Sequence, residues 1–193
     1  MKCSKAESFN KEASDPKNNP GFIVENLSLS KGQKIADIGS GGGYFAMRFA
    51  EIVDSKGLVY AVDVDPAFLA FIGDCAKEKG VTNIKTLEVN GKDGSSTLPI
   101  PEKSIDLVFM RNVYHHMKGR IDYMKGLAPY LKPNGRIAIV DYCRRRSSIV
   151  SLLGHYTSPE AMRNEMEAAG YSMEKCFDVL RPKSSFAIFS RKE

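Results

Sequence analysis

Asp37-Ile38-Gly39-Ser40-Gly41-Gly42-Gly43-Tyr44-Phe45 decides how this chain folds. Lys34-Ile35-Ala36-Asp37-Ile38, a short run carrying β-branched residues, predicts a strand that ends in the glycines. From Tyr44 to Val53 the apolar residues Phe45, Ala46, Phe49, Ala50 and Val53 recur at helical spacing. Glycines at a strand–helix junction let backbone approach a ligand without Cβ clashes, and the helix N-terminus offers unpaired N–H groups. A P-loop would need Gly-Lys-Ser/Thr at the end of this loop, and no lysine stands there. A GxGxxG fingerprint would need glycine at position 44, which is Tyr44. The spacing G-x-G-x-G behind Asp37 remains, with a tight structural turn as its bland alternative.

The alternation continues on both sides. Leu58 to Val62 is a second strand-like run, and Asp65-Pro66 supplies an N-cap and a first-turn proline. Phe68, Leu69, Ile72, Cys75 and Ala76 then line one helical face that Gly80 ends. Ile84–Val89 and Ile105–Met110 are the third and fourth strands. Ile121, Met124, Ala128 and Leu131 suggest a helix that Gly126 and Pro129 weaken, and Lys132-Pro133-Asn134-Gly135 a sharp turn into a fifth strand, Arg136–Val140. Ser158-Pro159-Glu160 opens a last helix that stops at Gly170. Tyr171–Leu180 and Ser185–Ser190 look like a closing hairpin around Arg181-Pro182-Lys183. Strands alternating with helices predict an α/β fold: a Rossmann-like, doubly wound, mostly parallel sheet with helices on both faces and a C-terminal antiparallel hairpin. Residues 1–18 read as a flexible or loosely docked arm ending in the turn signals Asp15-Pro16 and Asn19-Pro20, and residues 19–193 as one domain.

Composition bounds the function. With 193 residues, 42% hydrophobic and 26% charged, the chain fits one globular domain rather than a disordered or fibrous one. No apolar stretch approaches the roughly 20 residues of a membrane span, and the polar N-terminus lacks a signal-peptide centre, so a cytoplasmic protein is expected. Cys3, Cys75, Cys143 and Cys176 lie far apart without zinc-ligand spacing, so no metal is expected. The net charge of +5, much of it in Arg144-Arg145-Arg146, leaves room for an anionic small molecule. That triplet is either a solvated loop or a grip on a substrate phosphate or carboxylate.

A second signal follows the glycine loop. Val59-Tyr60-Ala61-Val62-Asp63 ends in an acid 24 residues after Gly39. A carboxylate at the tip of the second strand accepts hydrogen bonds from both ribose hydroxyls of an adenosine, a geometry common to several nucleoside cofactors.

The DIGSGGG stretch resembles the first motif of the class I S-adenosylmethionine-dependent methyltransferases. The resemblance implies a loop of Asp37, Gly39, Ser40, Gly41 and Gly43 around the amino-acid end of S-adenosylmethionine, Asp63 on the ribose and Val64 against the adenine. Val89-Asn90-Gly91-Lys92-Asp93 resembles the stretch that contacts the adenine amino group; Asn90 with Gly91 is the favoured match and Asp93 a rival. Met110-Arg111-Asn112-Val113-Tyr114-His115-His116-Met117 resembles the subgroup that includes ubiquinone/menaquinone-biosynthesis methyltransferases. There Arg111 belongs to the cofactor site, and His116 and His115 lie beside the methyl group. Either histidine serves as a general base, which imidazole suits near neutral pH, or both only line the pocket. Tyr44 has a ring that can face the cationic sulfur, and His155 precedes the last helix near the substrate mouth.

The function expected is in-line methyl transfer to a small molecule, because the chain leaves no separate domain for recognising RNA or protein. Three rivals stay open: an NAD-dependent oxidoreductase, which Tyr44 and the hairpin disfavour; a nucleic-acid methyltransferase, supported only by the arginines; and a cofactor-binding protein without catalysis. The oligomeric state is not legible.

Overall fold

The computed structural model describes residues 4–90, 96–142, 157–177 and 184–192. Seven strands form one sheet: β1 (Lys34–Ile38), β2 (Leu58–Asp63), β3 (Ile84–Glu88), β4 (Ile105–Arg111), β5 (Leu131–Tyr142), β6 (Tyr171–Phe177) and β7 (Ser184–Arg191). Across the sheet they run β3-β2-β1-β4-β5-β7-β6. β3 to β5 are parallel, and β7 is antiparallel to both β5 and β6. The order reverses between β1 and β4, so the carboxyl ends of these strands border the crevice where doubly wound sheets bind ligands.

The helices are α1 (Lys5–Ser14), α2 (Pro20–Asn26), α3 (Tyr44–Val53), α4 (Pro66–Glu78), α5 (Arg120–Leu127) and α6 (Pro159–Ala168). Side-chain alternation in the strands divides the core between the two sheet faces. Leu107 and Phe109 of β4 pack with Ile23, Phe45, Phe49 and Ile72 from α2, α3 and α4. Val108 and Met110 pack on the other face with Met124, Leu127, Met162 and Met166 from α5 and α6. Asp65 caps α4 through Ala67 N–H at 3.0 Å, with Pro66 in the first turn, as expected.

The closing hairpin has a consequence that its pattern foretold only in part. β7 carries the continuous apolar run Phe186–Phe189, buried throughout, whereas β6 exposes Glu174 and Lys175. The run that is apolar on both faces takes the interior position beside β5, and the charged strand takes the edge.

Three local expectations need correction. The segment read as a loose arm forms α1, closed by a capping box in which Ser4 Oγ accepts from Glu7 N–H and the Glu7 carboxylate accepts from Ser4 N–H. Ala6 and Ala13 are buried beneath it. The helix expected to reach Leu131 stops at Leu127, and a 3₁₀ turn, Ala128–Tyr130, follows around Pro129. The turn at Lys132–Gly135 lies inside β5: Leu131 pairs with Ile105 and Arg136 with Leu107, so residues 132–135 bulge opposite Asp106. Asp106 anchors that bulge by accepting from Lys132 Nζ at 2.7 Å and from Lys34 N–H at 2.8 Å. Gly91, Lys92, Asp93, Cys3, Cys143, Arg144-Arg145-Arg146, His155 and the Arg181-Pro182-Lys183 turn lie outside the described residues.

Candidate functional site

A cleft of about 1750 Å³ opens along the carboxyl ends of β1 to β5, larger than the roughly 300–1,000 Å³ of a usual small-ligand pocket. Its walls include Asp37, Gly39, Ser40, Gly41, Asp63, Val64, Asn90, Arg111, His115 and His116. The expected site residues thus converge, with two exceptions. Gly91 is not described, and Gly43 is absent from the cleft wall.

The glycine loop is tied to the end of β2, since Gly39 and Ser40 both donate N–H groups to Val62 O, at 2.8 and 3.1 Å. Gly39, Gly41 and Gly43 have φ of 72°, 52° and 82°, a region that L side chains rarely adopt. Their crowding, however, comes from protein. A Cβ on Gly39 would collide with Val113, and one on Gly41 would sit 3.2 Å from the Phe9 ring. At Gly43 it would lie 2.6 Å from Ile72, so that glycine serves the packing of α3 on α4.

Asp63 closes the tip of β2, with its side chain turned toward the loop. One carboxylate oxygen accepts from Val64 N–H at 2.8 Å and Asp65 N–H at 3.1 Å, and the other from Gly41 N–H at 2.8 Å. A carboxylate offers about four acceptor sites, so roughly one remains in this arrangement. Both ribose hydroxyls reach it only if Gly41 releases its bond. Val64 beside it is 57% exposed, an apolar platform at the cleft's edge.

Asp37 lies buried behind the loop, and its carboxyl is pushed up to about 7. Burial is the main cause and the nearby charge of Asp63 the next, against the pull of Ala46 N–H and Arg111. Ser40 Oγ is buried with no hydrogen-bond partner. An orphaned hydroxyl in a cleft wall leaves a polar group for a ligand to satisfy.

α1 supplies a wall that the sequence did not announce. Asn10 Nδ2 donates to Gly42 O at 2.8 Å, and its Oδ1 accepts from Tyr44 N–H at 3.0 Å, satisfying a first-turn donor of α3. Arg111, expected at the cofactor, makes a bidentate pair with Glu12, both contacts 2.9 Å, and stands over the Phe45 ring. It lines the cleft, but its guanidinium fastens α1 to β4.

At the β4–β5 end, Tyr114–His116 form a 3₁₀ turn entered through Asn112, whose φ is 55°. His115 Nδ1 lies 2.5 Å from Asp141 Oδ1, and His115 N–H donates to Asp141 Oδ2 at 2.7 Å. Asp141 is fully buried at the end of β5. The His115 and His116 rings lie 3.9 Å apart, with His116 exposed on the cleft. Tyr142 follows Asp141, exposes 37% of its surface, and sets its ring edge-on to His115. Tyr123 also lines this end, and burial raises its hydroxyl to about 12, so it stays protonated at neutral pH.

Glu12, Asn10, Asp141 and Tyr142 are the site residues that sequence reasoning missed. Ser4-Lys5-Ala6-Glu7 carried the capping-box signal for α1, and Asp141 is an acid at a strand tip like Asp63. No local signal pairs Asp141 with a histidine 26 positions away.

Among curated proteins, the chain is 25% identical over 138 residues to the ubiquinone/menaquinone biosynthesis C-methyltransferase UbiE of Haemophilus ducreyi, covering 71% of this chain and 52% of that one. It is 31% identical over 122 residues to phosphoethanolamine N-methyltransferase 1 of Arabidopsis thaliana, over 63% of this chain and 23% of that protein. The chain spans about half the length of the UbiE relatives it matches. In fold it resembles a SAM-dependent methyltransferase from Aquifex aeolicus, with a TM-score of 0.80 at 21% identity, covering 97% of this chain and 98% of that one. The model of the methyltransferase domain family matches residues 36–139, from the first strand through the fifth. With more than half of its 193 residues inside that match, and a cleft at the place the fold reserves for a ligand, the chain belongs to the methyltransferase domain family.

Proposed function

We propose that the chain transfers a methyl group from S-adenosylmethionine to a small-molecule acceptor. The observation that carries this is the joint placement of Asp63 and the glycine loop on one cleft wall, with Ser40 Oγ unsatisfied between them. In this reading Asp63 holds the ribose, Val64 and Asn90 face the adenine, and Gly39 to Gly41 take the amino-acid end, with Asp37 behind them. When bound, S-adenosylmethionine supplies a sulfonium-activated methyl group. The chain's own residues orient and enclose: the loop fixes one end of the cleft, and α1 covers it. His115, His116 and Tyr142 receive the acceptor at the other. Positioning of this kind lowers a transfer barrier without covalent help from the protein.

Residues 19–193 act as one catalytic unit in this proposal, with α1 as its cover. Among the described residues no helix is long and apolar enough to cross a membrane. Cys75 and Cys176 are free thiols, which suits the reducing cytoplasm. Aromatic rings at the acceptor end favour a flat or partly apolar molecule, and the net charge of +5 leaves room for an anionic group on it.

Calorimetric titration with S-adenosylhomocysteine and with NAD tests the proposal. Binding of the former alone is expected; binding of NAD alone overturns the reading in favour of an oxidoreductase. Transfer of a tritiated methyl from S-adenosylmethionine into a small-molecule extract then separates an enzyme from a silent binder.

A further inference from the structure

Two carboxylates stand on one wall of the cleft, and they are not equivalent. Asp63 at the tip of β2 collects three N–H donors, from Gly41, Val64 and Asp65. Asp37 on β1, 3% exposed, meets one, the N–H of Ala46 in the first turn of α3. The cation that acts on Asp37 is Arg111 of β4, and Glu12 of α1 already holds it through two contacts of 2.9 Å. Tyr44 at the start of α3 lines the same cleft and brings no positive charge. On the loop itself, Ser40 Oγ is buried without a hydrogen-bond partner. Two buried acids with so little compensating charge do not both ionise at low cost, and one keeps its proton. The shortage of donors puts that proton on Asp37, whose carboxyl is pushed up to about 7, chiefly by burial and then by the charge of Asp63.

From this cluster we infer that Asp37 determines the charge of the ligand the loop accepts: it keeps a proton while no cation is near and yields it to solvent when an ammonium group settles there. The inference rests on the methyl-transfer reading above, in which the amino-acid end of the cofactor meets this loop. A cation beside Asp37 favours the carboxylate, just as the charge of Asp63 disfavours it. The proton therefore leaves as the ligand arrives, and a neutral buried acid becomes one half of an ion pair. A ligand that has the nucleoside but no amino-acid end brings no cation and leaves the proton in place. The sign of the pH dependence follows. Binding that releases a proton strengthens as pH rises, until Asp37 is ionised before the ligand arrives. Affinity for an ammonium-bearing ligand climbs through the neutral range and levels off above about pH 8.

Calorimetry of the full chain at pH 6.5, in two buffers of different ionisation enthalpy, counts the proton directly. S-adenosylhomocysteine, which keeps the ammonium group, is expected to release roughly three quarters of a proton per molecule bound. 5′-Methylthioadenosine, which has the nucleoside and the thioether without the amino-acid end, is expected to release none. Between pH 6 and pH 8 the Kd for S-adenosylhomocysteine should fall about tenfold, while that for methylthioadenosine stays within about twofold. Asp37→Asn has no such proton to lose, so its binding of S-adenosylhomocysteine should release none and vary little with pH. Release of less than half a proton from wild type overturns the inference, as does equal release with methylthioadenosine. So does release that survives in Asp37→Asn, which would trace the proton to His115 or His116 at the other end of the cleft. The comparison of the two ligands on wild type decides the matter even where the variant does not fold. Should wild type fail to bind S-adenosylhomocysteine, the function proposed above falls; if it binds and these results fail, only the present inference falls.

Discussion

The β1–β2 end of the cleft is made largely of backbone, whereas the β4–β5 end is made of side chains. At the first, Gly39, Ser40 and Gly41 present N–H and C=O groups, tied to β2 through Val62 and Asp63. At the second, His116 and Tyr142 present rings beside the nearly buried ring of His115, which the Asp141 carboxylate at the end of β5 holds. Backbone recognition depends on φ/ψ and loop length, which glycines write into a short stretch of sequence. Side-chain recognition depends on which strands become neighbours, so in the proposed function the acceptor contacts can be rebuilt without disturbing the end that would hold the cofactor.

Replacing Asp63 offers the sharpest test of this division. Asp63→Ala removes a charged acceptor for ribose, so S-adenosylhomocysteine affinity should fall by about a hundredfold or more, read by calorimetry. An unchanged affinity would mean that the backbone end does not bind the nucleoside, and the comparison would break.

Gly39→Ala probes whether the loop is shaped by its ligand or by protein. Its positive φ and the collision with Val113 should lower stability by about 2–3 kcal/mol in denaturant unfolding. In a double-mutant cycle with Val113→Ala, part of that loss should return. Strict additivity would place the crowding elsewhere.

The buried carboxyl of Asp37 gives a pH test. Its folded value near 7 exceeds the ordinary 3.8. The folded state therefore binds the extra proton between about pH 4 and 7, and stability falls as pH rises through that window. The penalty is complete above pH 7 and absent below about 4. Asp37→Asn removes it, so the variant should gain about 2 kcal/mol relative to wild type between pH 5 and pH 8 in urea unfolding. A gain independent of pH would show that Asp37 carries no such penalty.

The smallest expected effect concerns α1. Glu12 is 42% exposed and Arg111 12%, so solvent screens their pair, and Glu12→Gln should cost about 0.5–1 kcal/mol. Hydrogen exchange should quicken in Lys5–Ser14 while α3 stays unchanged. Equal loosening of both would make α1 part of the core rather than a cover.

Much of the fold was legible because its signals are local. Asp65-Pro66 announced α4, and the run Ser185–Ser190 announced a strand of the closing hairpin. Most of the expected site residues also reached the cleft, since strand tips in a parallel sheet share one edge. The errors arose where a local signal needed a distant partner. Residues 1–18 read as a flexible or loosely docked arm, and Lys5–Ser14 holds as a helix because Asn10 and Glu12 find Gly42 and Arg111, 32 and 99 positions away. Arg111 lines the cleft as expected, and the sequence does not show that its guanidinium also pairs with Glu12.

By itself, the amino-acid sequence determined the strand–glycine–helix corner, the acid at the tip of the second strand and the helix-capping signals, because each depends on φ/ψ preference and spacing within a few residues. Only the tertiary structure decided that Val113 and Phe9 crowd the glycines, that α1 walls the cleft and that Asp141 grips His115. Those are matters of which segments meet, and chain packing brings together groups whose separation along the sequence carries no trace of their contact.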